Sequence, residues 1–158
     1  MTYKLEIELI PEKSWGKSLA NILPQPVWDT LRREVYAEFG YSCAICSTDD
    51  KELHCHEVWE YKGKIQFLKG FQCLCRDCHN IKHWGRTIYS LHGGKFTQDY
   101  IDSLRKHFCE VNQCTEMDMI RHIVEAGNKN LKRSRYRYRI DFGKFTPERV
   151  IEAWRKKH

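Results

Sequence analysis

The sequence lacks a long apolar run. No stretch approaches the roughly 20 residues that a membrane-spanning helix needs, so membrane insertion is not expected. Residues 1–10 alternate apolar and charged side chains, without the apolar block of a secretion signal. Internal repeats and low-complexity tracts are also missing, which argues against a solenoid or a long disordered linker. Proline is scarce: the four at positions 11, 24, 26 and 147 each fall where an element is expected to stop or start. These absences lead to the expectation of a soluble, cytoplasmic protein.

The chain has 158 residues, of which 41% are hydrophobic and 13% aromatic. That is enough to bury a core in one medium domain or two small ones. The net charge is +6, and it is uneven: residues 128–158 hold 11 Lys and Arg against 3 Asp and Glu. The remainder is close to balance, so any attraction for a polyanion belongs to the C-terminal segment.

Four of the eight cysteines fall in two C-x-x-C pairs, Cys43 with Cys46 and Cys75 with Cys78. Paired thiolates at this spacing are the usual way to hold one structural Zn²⁺ tetrahedrally. In a reducing compartment, disulfides are the less favoured use of the same residues. The pairs are separated by 28 residues, more than the roughly 15–20 of a zinc ribbon. The excess leaves room for a β-hairpin. Within it lies His54-Cys55-His56-Glu57, and His79 directly follows the second pair. His83 comes four residues later and shares a helix face with His79. Two or three imidazoles around one cation would leave open positions for phosphate oxygens. His107, Cys109, Cys114 and His122 form a weaker candidate for a second zinc site, because their spacing is irregular.

Residues 3–9 alternate strictly and predict a half-buried strand. A helix is expected over 28–39, ended by Gly40. Strands are expected over 54–61 and 64–74, turning at Lys62-Gly63, after a zinc knuckle within 41–53. A helix over 78–84 follows, ended by Gly85, with Lys82 on its exposed side and Trp59 and Tyr61 packing on the hairpin. Thr97 should cap a helix to about Cys109, and Thr115 with Asp118 a helix to Gly127. Residues 132–142 alternate again, which would place Arg133, Arg135, Arg137 and Arg139 on one strand face. Tyr136, Tyr138, Ile140 and Phe142 would occupy the other. Such a strand could track a phosphate backbone, or pair with the first strand and meet Glu6 and Glu8. Thr146-Pro147 opens a last helix.

The segment 43–83 resembles the HNH family of metal-dependent nucleases, in the subgroup clamped by a four-cysteine zinc. The resemblance rests on Leu53-His54-Cys55-His56-Glu57-Val58 and Leu74-Cys75-Arg76-Asp77-Cys78-His79, about a quarter of the chain. In that family a metal ligand is followed by a general-base histidine. His56 takes the ligand position here and Glu57 the base position, and Gly70 lies near the place of the family's central Asn. His54 could substitute as base or ligand.

The resemblance implies an α+β fold with a central zinc-bound ββα module, flanked by an N-terminal strand and helix and by C-terminal helices plus a basic strand. Segment boundaries are expected at 1–40, 41–92 and 93–158, with the outer segments free to form one unit. The site it implies comprises zinc ligands Cys43, Cys46, Cys75 and Cys78, and catalytic residues His56, Glu57, His79 and His83. A catalytic Mg²⁺ or Mn²⁺ would sit among the latter. Nucleic acid, with DNA expected, would meet Lys132, Arg133, Arg135, Arg137 and Arg139. The alternative is an inactive zinc protein of the same descent that binds nucleic acid or a protein.

Overall fold

The computed structural model describes residues 2–49 and 52–158; Met1 and two residues of the 41–53 segment, Asp50 and Lys51, lie outside them. The fold is α+β. Its helices are α1 (Leu19–Ile22), α2 (Gln25–Glu38), α3 (Arg76–Lys82), α4 (Trp84–His92), α5 (Gln98–Asn112), α6 (Glu116–Arg133) and α7 (Pro147–Lys157). Its strands are β1 (Leu53–Lys62), β2 (Ile65–Cys75) and β3 (Arg139–Asp141), in the spatial order β1-β2-β3.

β1 and β2 form an antiparallel hairpin in which Lys62 pairs with Ile65. Gly63 takes φ 59° at the first central position of the two-residue turn, a conformation that glycine adopts without steric cost. The register steps over Lys69, so that Val58 pairs with Gly70 and Trp59 with Leu68. β2 runs directly into α3, and the Cys75 side chain caps that helix by accepting from Cys78 N–H.

Residues 3–9 do not form the expected strand. The chain bends at Lys4 and Leu5, and its backbone groups go to side chains and a carbonyl of the helices instead of a neighbouring strand. Leu5 N–H donates to Asn112 Oδ1 and Ile7 N–H to His122 Nε2, both at 2.9 Å. Glu8 N–H donates to Lys82 C=O at 2.9 Å. The alternation still does its work, because Leu5 and Ile7 are buried whereas Lys4 and Glu6 are exposed. Alternating burial does not by itself require a neighbouring strand.

The expected helix over 78–84 divides at His83 (φ −95°, ψ 46°), and Gly85 belongs to the first turn of α4 instead of ending a helix. Thr87 Oγ1 donates to Asn80 C=O across the break at 2.7 Å, which satisfies a carbonyl that the break frees. α6 passes through Gly127 to Arg133; one interior glycine costs only about 1 kcal/mol, and the amphipathic face of α6 outweighs it. Thr97 and Thr115 cap α5 and α6 as expected, and Asp118 completes a capping box with Thr115.

The basic strand is the largest correction. Lys132 and Arg133 are helical, Arg135 and Arg137 lie in irregular chain, and only Arg139 starts the three-residue β3. β3 pairs with β2 in parallel, not with residues 3–9. Arg133 stacks on the Tyr61 ring, 4.0 Å from its centroid, and Tyr61 packs edge-on against Tyr138.

One core cluster unites all three sequence segments. It joins Leu5 and Ile7, Cys43 and Leu74 of the central part, and Leu104, Phe108 and Met119 from α5 and α6. A second cluster packs Leu19, Val27 and Leu68 against Trp28, Trp59 and Trp154. Among the described residues no helix is long and apolar enough to cross a membrane.

Candidate metal centre

Two groups of metal-ligating side chains converge among the described residues: Cys43, Cys46, Cys75 and Cys78, and separately His56, His79 and His83. Within each group the ligating atoms lie within 4.8 Å of one another. No second zinc site forms from His107, Cys109, Cys114 and His122: His107 reaches Cys78 and His122 reaches Ile7 N–H.

The sulfur group could hold a structural metal ion such as zinc. Cys46 Sγ and Cys75 Sγ are 3.7 Å apart. A tetrahedron with Zn–S bonds near 2.3 Å has an edge of about 3.8 Å, so the spacing fits. The first pair sits on a tight turn in which Ser47 N–H donates to Cys43 C=O and Cys43 N–H to Thr48 C=O. Ala44 N–H donates to Cys73 C=O, which fixes the turn to β2. Hydrogen bonds from Cys75 and Cys78 hold the Cys43 thiol far below its ordinary value, while sharing with Cys43 pushes Cys75 up to about 12. A dication among the four sulfurs would favour their thiolate forms. His107 Nε2 lies 3.2 Å from Cys78 Sγ. No spacing rule relates α5 to the second C-x-x-C pair, so this contact is invisible in the sequence.

The imidazole group is built from both sides of the hairpin–helix junction. His54 and His56 project from β1 toward α3, two residues apart and on one face. His79 and His83 come from α3 and its terminal break. Ring centroids are 5.6 Å apart for His56 and His79, 5.1 Å for His56 and His83, and 4.7 Å for His79 and His83. His54 stacks on His79 at 4.7 Å and pairs with Glu52 at 3.2 Å. Burial, followed by the mutual repulsion of the rings, lowers His79 far below its ordinary value and His83 to about 3. These rings stay neutral at ordinary pH, the state in which imidazole binds a metal.

Glu8 completes the group and was not expected there. Its Oε2 lies 3.0 Å from His56 Nε2, and its Oε1 accepts from Lys82 Nζ at 2.6 Å. Burial opposes its charge, but the His56 hydrogen bond and the Lys82 ammonium overcome that and pull the carboxyl down to about 2. Lys82 is buried rather than on the exposed side of its helix. His56 is 2% exposed. With Nε2 engaged, its Nδ1 is buried without a hydrogen-bond partner, as is His79 Nδ1. Two orphaned nitrogens facing a third imidazole fit a cation, and a carboxylate on the far nitrogen is the usual support for a ligating histidine.

Glu57 is not brought to this group. As the neighbour of His56 on a strand it points to the other face. There Oε1 accepts from Leu19 N–H at 2.7 Å and Ala20 N–H at 3.4 Å, at the start of α1. Burial pushes its carboxyl up to about 7 against these bonds. A cavity of about 840 Å³ runs along the outer strand β1, so both His56 and Glu57 line it, along with His79, His83 and Arg86. Lys132, Arg135, Arg137 and Arg139 are exposed, and Arg133 is partly so. None of them is ion-paired to Glu6 or Glu8.

No protein-family model, no curated protein and no solved structure matches the chain.

Proposed function

We propose that the protein is an HNH-like endonuclease that hydrolyses nucleic-acid phosphodiester bonds, DNA foremost, with a divalent cation at His56, His79 and His83. The observation that carries this reading is the convergence of three imidazoles beside a separate four-thiol cluster. In it the thiol cluster holds structural Zn²⁺, and its role is to fix the Cys43 turn to the start of α3. The imidazoles line a cavity and so remain open to a ligand. Three nitrogen donors suit Mn²⁺ and later transition ions better than Mg²⁺, which prefers oxygen. The cation would supply charge stabilisation to the pentacovalent phosphate and the leaving oxygen.

The base role moves from Glu57, which faces α1, to His54. His54 stacks on His79 and is held by Glu52, so its ring is oriented without being in the three-imidazole group. It would take the proton of the attacking water. Lys132, Arg133, Arg135, Arg137 and Arg139 would supply unspecific attraction for phosphates. Plasmid nicking with Mn²⁺, Mg²⁺ or no metal tests the reading. The parent should nick with Mn²⁺ and lose activity as His56→Ala or His83→Ala, at unchanged zinc content. Absence of cleavage with every divalent ion leaves the inactive zinc protein that binds nucleic acid or a protein.

A further inference from the structure

Four side chains line the same cavity as the three imidazoles but take no part in holding them: Trp15, Lys17, Arg86 and Tyr89. Their common feature is that they are ready for a ligand outside the fold. Trp15 is 66% exposed, yet its ring is fixed by an Nε1–H bond to Ile10 C=O at 2.9 Å. Tyr89 is 80% exposed and lies three residues after Arg86 on α4, on the same helix face. Lys17 and Arg86 are exposed and form no ion pair with any described residue, whereas the two carboxylates in the same wall are already engaged, Glu8 by Lys82 and His56 and Glu57 by the Leu19 and Ala20 N–H groups. The opening therefore carries uncompensated positive charge and two aromatic faces in water.

We infer that this opening binds an unpaired nucleic-acid strand, with bases stacked on Trp15 and Tyr89 and phosphates on Lys17 and Arg86; the inference deepens the nuclease reading by naming the form of its substrate. An exposed ring lowers its free energy little against a duplex, whose base faces are already stacked. Against an unpaired strand each ring replaces water on a base face, and every base has such a face. Free cations alone would bind a duplex equally well. The combination selects the single strand. The cavity behind the opening leads to the imidazoles, so a strand held there presents its backbone toward them.

The test is fluorescence anisotropy of a labelled single-stranded oligonucleotide and its duplex, on the zinc-loaded full chain, without added divalent ion. The parent should bind the single strand more tightly. Trp15→Ala with Tyr89→Ala should weaken single-strand binding about tenfold or more and leave the duplex nearly unchanged. Trp15→Phe with Tyr89→Phe should keep the preference. Arg135→Ala with Arg137→Ala should weaken both forms alike and lower the salt dependence. A parent that prefers duplex or shows no preference overturns the inference, as does an alanine pair that binds like the parent. Cleavage is scored separately. A protein that cuts nothing but keeps the ring-dependent preference refutes the nuclease and retains the single-strand site. One that nicks DNA without ring dependence does the reverse.

Discussion

Glu8 holds two groups at once, the His56 imidazole and the Lys82 ammonium. It lies 48 residues from His56 and 74 from Lys82, so the three meet only because the N-terminal segment crosses the end of α3. A carboxylate on the outer nitrogen fixes which ring nitrogen is free and where it points. Glu8→Gln keeps the shape but weakens that control and leaves Lys82 buried beside a neutral partner. Mn²⁺ affinity at the imidazoles should fall about 10–100-fold, measured by calorimetry, with cysteine-bound zinc unchanged. Unaltered Mn²⁺ affinity would refute a supporting role for Glu8. The pair His56-Glu57 shows the limit of reading sites from neighbouring letters. Adjacent residues suit one site in a loop or helix turn, but on a strand they face apart.

At the scale of elements, β1 divides its side chains between two jobs. One face gives His54 and His56 to α3, and the other gives Cys55 and Glu57 to α2 and α1. The hairpin, its turn at Gly63 and the capped starts of α5, α6 and α7 were all legible, because each rests on local chemistry within a few residues. The division at His83 was not, since it depends on Thr87 reaching Asn80 and on α4 packing into the core. Glu57 offers a test of its place at α1. Its folded carboxyl titrates at about 7 against an ordinary 4.5, so the unfolded chain ionises first. Stability from this group is complete below 4.5 and declines as pH rises through about 7. The full difference is about 3 kcal/mol. Glu8, lowered to about 2, loses its contribution only as pH falls below 4.5, so the two windows do not overlap. Glu57→Gln should therefore flatten the decline in urea-unfolding stability between about pH 5 and about pH 8. Equal declines in parent and variant would place the titration elsewhere.

In the whole molecule, the N-terminal segment is part of the core rather than an appendage. Leu5 is fully buried among residues of the central and C-terminal parts, and its backbone is bonded to Asn112 in both directions. Leu5→Ala should cost about 2–5 kcal/mol in denaturant unfolding. Because Glu8 is three residues further on, it should also weaken Mn²⁺ binding. A loss below about 1 kcal/mol would show the segment to be dispensable. The C-terminal charge is likewise a property of the whole. Its arginines were read as one strand face from their alternation, but the amphipathic pattern of α6 extends the helix to Arg133 and leaves three residues of strand. Alternation over a charged segment does not by itself supply a neighbouring strand, and without pairing the extended form has little to hold it.

The sequence by itself singled out the two groups of candidate metal ligands, Cys43, Cys46, Cys75, Cys78 and His56, His79, His83, because liganding chemistry imposes residue type and short-range spacing. It also determined the hairpin and most helix starts, which depend on turn and cap residues nearby. Only the tertiary structure decided that Glu8 and Lys82 support His56, that His107 reaches Cys78, and that Glu57 belongs to α1. It also decided that Trp15 and Tyr89 share one opening. These contacts join residues from 29 to 74 positions apart in sequence. Their distances are set by how the elements pack, a balance of buried area and shape that no local pattern encodes.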